Sequence, residues 1–255
     1  MTLDPSSQPF LDHIAELRMR LMWGVIALLA GTGICYLFVE DIYGFLVRPL
    51  AEAMGPSDTQ RLIYTNLTEA FFTYLKVSLF AGGFLTFPFI AGQIWKFVAP
   101  GLYASEKKSV LPFLIASPAL FFMGGALVYY VVLPLAWKFF LSFQSTKDQT
   151  VLPIMLEARV GDYLDLVMVL IFAFGLAFQL PIVLALLARA GIITVEWLRS
   201  KRRYAIVIIF IIAAFITPPD ILSQFSLALP MIALYEISIL VIRYMQKPKT
   251  DDHTD

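Results

Sequence analysis

The sequence is poor in the residues that most enzymes and metal proteins use. It contains one cysteine, Cys35, and two histidines, His13 and His253, which lie in the polar ends of the chain. A lone cysteine excludes an intramolecular disulfide, and no Cys-x-x-Cys or Cys/His metal spacing is present. Because neither histidine lies in an apolar segment, a serine–histidine or His-Glu-x-x-His catalytic site within these segments would lack its histidine. We expect no enzyme activity, no metal and no cofactor.

Charged residues are also scarce. Only 15% of the 255 residues are charged, and 19 Lys and Arg balance 19 Asp and Glu. A net charge of zero provides no global field that would recruit nucleic acid. The chain is 59% hydrophobic with a mean hydropathy of +0.78, whereas soluble domains are about 45–50% apolar and about 25% charged. These values exclude disorder and favour an integral membrane protein in contact with lipid.

Apolar runs divide the chain into candidate membrane spans, each of which needs roughly 20 residues to cross a bilayer. The run over 204–216 has 13 residues, covers roughly 20 Å and ends before the double proline Pro218-Pro219. Prolines inside the second and third runs predict kinks there. We predict an all-α integral membrane protein with one domain over 1–255, an amphipathic helix over 1–20, a tail over 243–255, and six transmembrane helices over 21–39, 70–97, 110–141, 163–187, 204–216 and 221–242.

The distribution of Lys and Arg predicts the orientation of these spans. If both termini are cytoplasmic, thirteen of the 19 basic residues lie on the cytoplasmic side, five lie outside, and Lys76 lies within a span. This bias follows the positive-inside rule. We therefore predict that both termini are cytoplasmic.

The amino-terminal segment has the pattern of an amphipathic helix at the membrane surface. Apolar residues recur at i, i+4, i+7 and i+11 from Phe10 to Leu21, while Glu16 and Arg20 lie on another stripe. Glu16 and Arg20 are four residues apart, so an ion pair within the helix is the simpler interpretation. The segment is expected to turn into the membrane after residue 20.

The first predicted cytoplasmic loop contains a second acidic residue. Pro100 and Gly101 predict a turn, and Ser105 can cap a helix whose first turn contains Glu106. Stabilisation of the helix dipole by Glu106 explains this arrangement. The functional alternative is that Glu16 and Glu106 together receive cations from a partner.

Four polar residues lie within or beside apolar runs. For Lys76, extension of the side chain towards the outer surface is the simpler interpretation. Gln179 is explained equally well by a hydrogen bond between helices. Asp220 can cap the last span, but no cap or turn explains Gln224, which suggests docking of another polar transmembrane helix.

Taken together, these segments resemble the TatC family, the multi-spanning receptor subunit of the twin-arginine protein translocase. The resemblance covers almost the whole chain. It is carried by residues 13–20, 48–50, 97–103 with Glu106, 178–181, and 217–220 with 223–224.

The resemblance implies a concave six-helix cup with short fifth and sixth helices in the bacterial inner membrane. It implies binding of the twin-arginine signal peptides of folded cargo, and docking of the single-span subunits TatB and TatA; self-association is also expected. The signal-peptide residues would be Glu16, Arg18, Arg20, Phe97 and Glu106, and the docking residues Thr217, Asp220 and Gln224. Structural roles would fall to Pro49, which supports the outer cap, and to Pro100, Pro218 and Pro219.

One position departs from the family pattern. Many members have glutamate, facing the concave cavity, where this chain has Gln179. The neutral amide permits hydrogen bonding but argues against proton chemistry at this position. The competing interpretation is a six-span secondary transporter of a small solute, which predicts internal repeats and facing polar groups at the midplane. No similarity between residues 1–141 and 142–255 supports it.

Overall fold

The computed structural model describes residues 8–55, 61–102, 111–145, 156–216 and 221–245, and the regular elements in these ranges are helical. They are α1 Gln8–Leu37, α2 Val39–Met54, α3 Glu69–Leu102, α4 Leu111–Leu127, a π-helical turn Val128–Val132, α5 Leu133–Leu141, α6 Val160–Ala177, α7 Leu180–Arg189, α8 Val195–Ser200, α9 Arg202–Ile216 and α10 Ile221–Met245.

Five helical segments are long and apolar enough to cross a membrane. They cover Ile14–Leu37, Glu69–Phe97, Pro112–Leu141, Val160–Arg189 and Gln224–Met245. The remaining predicted span corresponds to α9, which has 15 residues and covers about 22 Å, less than the thickness of an unperturbed bilayer core. The chain is thus an all-helical, multi-pass membrane protein.

Two parts of the chain differ from the predicted layout. The amphipathic segment does not turn after residue 20, because α1 continues without interruption to Leu37; no Gly or Pro lies between residues 10 and 23 to break the helix. The segment predicted as the first outer loop contains a further helix, α2, which has no counterpart among the predicted elements. Its apolar positions are spaced for one buried face and were hidden by its charged residues.

Prolines interrupt two of the long segments. Pro134 has no N–H to donate to the carbonyl of Tyr130, and the turn just before it is π-helical, with the Leu133 N–H bonded to the carbonyl of Val128. In the fourth predicted span the helix breaks at Phe178 and Gln179, two residues before Pro181. The kink expected in the third run is therefore present as a π-helical turn.

The prediction of a turn at Pro100 and Gly101 is wrong. Helix α3 continues through both residues to Leu102. A proline in the last helical turn removes one hydrogen bond but does not have to end the helix, because α3 has already been propagated over thirty residues.

Helix α1 packs almost entirely on α3. The two backbones approach closely at Gly82, where an added Cβ would lie 2.8 Å from the Thr32 Cα. Small residues allow such close packing between helices in lipid. The opposite faces expose large apolar side chains such as Leu21 and Leu29, as contact with lipid requires.

Candidate functional site

The amino-terminal part of α1 forms a charged groove with α3. Glu16, Arg20 and Trp23 of α1 and Gln93 of α3 line a cavity of about 480 Å³. We call these four residues the groove. It forms because α1 and α3 run antiparallel along their glycine contact, so that the start of α1 lies beside the end of α3.

Glu16 and Arg20 form the ion pair that their spacing predicts. The Arg20 Nε donates to Glu16 Oε1 at 2.9 Å, and a terminal guanidinium nitrogen donates to the same oxygen. The Glu16 side chain remains 35% exposed and the Arg20 side chain 23% exposed. A pair at this spacing on a surface helix contributes a few tenths of a kcal/mol. The groove therefore holds a carboxylate that a second guanidinium can reach at little cost.

The structure brings together some of the predicted signal-peptide residues. Arg18 is exposed and does not line the groove. Phe97 is half-buried on α3, one helical turn beyond Gln93. Sequence reasoning missed Gln93, whose only signal was its position one turn before Phe97. The positions outside the described residues are Glu106, Thr217, Pro218, Pro219 and Asp220.

Gln179 lies at the helix break and binds α4. The Ser117 hydroxyl donates to Gln179 Oε1 at 2.6 Å, and the Gln179 amide donates to the Ser117 carbonyl at 2.9 Å. Both residues line a cavity of about 420 Å³ that is otherwise apolar. The structure therefore supports the helix-packing interpretation of Gln179, and its amide also borders a cavity.

At the other end of the bundle, α2 is anchored by two tyrosines. Pro49 is buried inside α2 and cannot donate to the carbonyl of Phe45, four residues earlier. The Tyr129 hydroxyl donates to this carbonyl at 2.8 Å, and the Tyr163 hydroxyl donates to the Leu46 carbonyl at 2.8 Å. Pro49 thus leaves the Phe45 carbonyl without its helical donor, and the Tyr129 hydroxyl takes that place.

Next to α2, hydrogen bonds and a β-bridge connect the loop before α3 with the loop before α6. Glu69 accepts hydrogen bonds from the Thr65 N–H at 3.0 Å, the Gly161 N–H at 3.2 Å and the Arg159 guanidinium at 3.1 Å. A β-bridge pairs Ile63 with Arg159. The hydrogen bond to Glu69 and the nearby charge of Asp162 raise the pKa of Arg159 above its ordinary value. We call this region, with α2, the cap end.

Lys76 is not simply extended towards the outer surface. Its ammonium group donates to both oxygens of Asp165 on α6, at 2.7 and 2.9 Å. Both side chains are half-exposed. The Lys76–Asp165 pair is thus the second ion pair between the α3 and α6 segments, after Glu69–Arg159. The sequence of either helix alone does not reveal this pairing.

Gln224 contacts the neighbouring helix rather than lying free. Its amide donates to the Phe210 carbonyl of α9 at 3.2 Å, so it helps to hold the α9–α10 hairpin. No described residue donates to its Oε1. In the last turn of α9, Phe215 is 88% exposed. Among the described residues no cluster of His, Cys, Asp and Glu could hold a metal ion.

The fold and these sites define a class: a multi-pass helical membrane protein with a charged groove at one end and apolar cavities between its helices. A family model described as the Sec-independent protein translocase protein TatC matches residues 12–230. The chain belongs to the TatC family, and it is a component of the twin-arginine (Tat) protein translocase.

Relatives and solved structures agree over nearly the whole chain. The Sec-independent protein translocase protein TatC of Rickettsia prowazekii is 49% identical over 242 residues, which cover 94% of this chain and 95% of the relative. That of Magnetococcus marinus is 48% identical over 252 residues, covering 98% and 90%. A crystal structure of the twin arginine translocase receptor TatC superposes with a TM-score of 0.77 at 39% identity, covering 91% of this chain and 98% of that one. A second, in DDM, gives 0.78 at 40% identity, covering 90% and 98%.

These matches confirm the resemblance and identify a transport protein. They give no support to the alternative of a small-solute transporter.

Proposed function

We propose that this protein is the receptor subunit that binds twin-arginine signal peptides of folded cargo at the groove. The observation that carries the proposal is a half-exposed carboxylate, Glu16, in a cavity large enough for a side chain and flanked by the Gln93 amide. A guanidinium group binds carboxylate and amide oxygens through planar, charge-assisted hydrogen bonds. Glu106, on the same predicted rim, supplies the second carboxylate for the second arginine.

Arg20 has a defined part in this proposal. It already donates to Glu16 Oε1, so an incoming arginine would share that carboxylate or displace Arg20 towards solvent. Because the resident pair is worth only a few tenths of a kcal/mol, the exchange costs little. Arg20 would keep the Glu16 carboxylate oriented until the signal peptide binds, while Arg18 and Phe97 border the site on α1 and α3.

The α9–α10 hairpin is the proposed docking site for TatB and TatA. Gln224 retains an open acceptor in Oε1, and the exposed Phe215 ring offers apolar area on the same hairpin. A single-span helix with one polar residue fits this surface, because hydrogen bonds between helices add to packing in lipid. Thr217 and Asp220 belong to the same proposed site, and self-association of receptors would leave this hairpin accessible.

The proposed topology has six spans, with both termini cytoplasmic, in the bacterial inner membrane. It requires α9 to cross as a short fifth span, and the 13 to five distribution of basic residues supports this orientation. The helices would form a concave cup, with the cavity at Gln179 on its inner side. A neutral Gln179, bonded to Ser117, offers a partner hydrogen bonds but no charge.

Site-specific photo-crosslinking of a twin-arginine peptide in membranes tests the groove. Glu16→Ala combined with Glu106→Ala should abolish crosslinking, and a peptide with two lysines should not crosslink to the wild type. The matched control is Glu52→Ala, which removes an exposed carboxylate that also pairs with an arginine four residues away. Unchanged crosslinking in the double variant would overturn the proposal.

Partner docking is tested separately. Gln224→Leu should reduce copurification of TatB while peptide crosslinking persists. Loss of both would indicate a folding defect, so the variant must first elute as the wild type does. Full copurification with a well-folded Gln224→Leu protein would contradict the docking proposal.

A further inference from the structure

A basic patch at the start of α9 has no role in the groove or at the docking hairpin. Lys201 and Arg203 both lie against the ring of Tyr204, with the Lys201 Nζ 5.4 Å and the Arg203 Cζ 4.9 Å from its centroid. Arg203 also donates to the Tyr204 hydroxyl at 3.2 Å. Arg199 and Trp197 are exposed on the adjoining α8. We call these five residues the basic-aromatic patch.

The positive charge of the patch is not neutralised within the described chain. Glu236 pairs with the neighbouring Arg202 at 2.6 Å, and the exposed Glu196 forms no ion pair with the patch. No described carboxylate lies within ion-pair distance of Arg199, Lys201 or Arg203. Among the residues that the structure describes, the patch therefore has three cations without an acidic partner.

Helix stability explains only part of this charge, because Arg199 and Lys201 lie at the carboxyl-terminal end of α8, where the helix dipole favours cations, whereas Arg203 does not. Lys201 and Arg203 flank the amino-terminal end of α9, where the helix dipole disfavours positive charge. Two cations held around one ring also repel each other. An anion bound between them would offset both effects, so the arrangement favours a negatively charged ligand.

The aromatic residues indicate where that anion comes from. Trp197 and Tyr204 are each about half-exposed, and such rings are enriched at the level of lipid headgroups. Basic residues beside them attract anionic lipids. The apolar face of α9, with Val207 and Ile208 exposed, continues from the patch along the path of an acyl chain.

We propose that the basic-aromatic patch binds the phosphate of an anionic phospholipid, whose acyl chains lie along α9. The lipid would hold the start of this short helix at the headgroup level. Phosphatidylglycerol is the probe, because it has a phosphate and a net negative charge, whereas phosphatidylcholine has the phosphate but no net charge.

Quenching of Trp197 fluorescence by lipids with brominated acyl chains tests the site in reconstituted vesicles. The Trp197 signal is the difference between the wild-type protein and Trp197→Phe. Brominated phosphatidylglycerol, diluted into phosphatidylcholine, should quench this signal at lower mole fraction than brominated phosphatidylcholine does. Lys201→Gln combined with Arg203→Gln should weaken the preference by about tenfold or more, since each basic residue near a membrane contributes about 1 kcal/mol.

Two control variants separate a site from general attraction. Lys96→Gln with Arg243→Gln removes two exposed cations from other helices and should keep the preference. The exchange Lys201→Arg with Arg203→Lys retains the charge and should keep it too, which excludes a folding defect as the cause of the loss.

Three results would overturn the proposal. The first is equal quenching by the two lipids, and the second is an equal loss in the Lys96 and Arg243 control. The third is binding of inorganic phosphate that is lost in Lys201→Gln with Arg203→Gln while phosphatidylglycerol leaves it undisturbed, which would assign the patch to free phosphate.

Discussion

The cap end and the groove end of this molecule are held by different kinds of contact. At the cap end, hydrogen bonds and ion pairs join residues far apart in the sequence, as in Tyr163 to Leu46 and Arg159 to Glu69. In the groove, Arg20 donates to Glu16 four residues earlier on the same helix, and α1 packs almost entirely on α3. Long-range polar contacts fix helices relative to one another, whereas a local pair only orders its own helix.

The difference assigns separate tasks to the two ends. The cap end is a frame that sets the spacing of α2, α3 and α6. The groove end leaves its charged groups half-exposed and within reach of a ligand. Its shape depends on how α1 packs on α3, because α1 has few other neighbours. Substitutions that loosen the α1–α3 packing should therefore affect the groove end, and substitutions that loosen the contacts of α2 should affect the cap end.

The largest effect is expected from Gly82→Ala. Its added Cβ would meet the backbone of Thr32 at 2.5 Å from N and 2.8 Å from Cα, so α1 must move away from α3. We expect a loss of about 2 kcal/mol in the free energy of unfolding, typical of overpacking. Peptide crosslinking at the groove should fall as well, because Gln93 and Glu16 would separate.

Gly33→Ala is the matched control for this substitution. Gly33 lies next to Thr32, and nothing lies within 4 Å of its added Cβ. This variant should be as stable as the wild type or more stable by up to about 1 kcal/mol, because alanine favours helix. If both variants lose stability equally, close α1–α3 packing is not what holds the groove together.

The next effect concerns the frame and is expected from Tyr129→Phe. Phenylalanine keeps the ring stacked on Phe45, whose centroid lies 4.2 Å away, but removes the donor to the Phe45 carbonyl. Since Pro49 has no N–H, that carbonyl loses its partner, which costs about 1–2 kcal/mol. The groove should keep its affinity for peptide, because the Tyr129 contact lies at the cap end and not in the groove.

A double-mutant cycle with Pro49→Ala sharpens this prediction. Alanine restores an N–H at residue 49, so Pro49→Ala should recover part of the stability lost in Tyr129→Phe. Tyr163→Phe should cost about 1 kcal/mol, because it removes the hydroxyl that donates to the Leu46 carbonyl. Equal effects of Pro49→Ala with and without Tyr129 would show that the orphaned carbonyl is not the cause.

Features encoded by nearby residues could be predicted from the sequence. Hydrophobic runs and the bilayer thickness identified the long helices, and the four-residue spacing identified the Glu16–Arg20 pair. The double proline after residue 216 indicated the short α9. Each of these rests on periodicity or local chemistry, which a sequence contains in full.

Features that depend on contacts between distant residues could not be predicted. Lys76 and Asp165 are 89 residues apart, and either one alone is explained by extension towards water. Helix α2 is amphipathic in its own sequence, but only its contacts with α5 and α3 show that the apolar face packs inside the bundle. Gln224 was left without a structural role because the carbonyl that accepts its hydrogen bond belongs to another helix.

The smallest effect is expected from the Lys76–Asp165 pair, and it tests how much of the frame is electrostatic. Both side chains are half-exposed, so Lys76→Gln should lower the free energy of unfolding by only about 0.5 kcal/mol. The exchanged pair, Lys76→Asp with Asp165→Lys, should recover most of this loss, because the same contact forms with opposite polarity. Unfolding in mixed detergent micelles measures both. A loss of several kcal/mol in Lys76→Gln would mean that this pair, rather than the tyrosine contacts to α2, dominates the cap end.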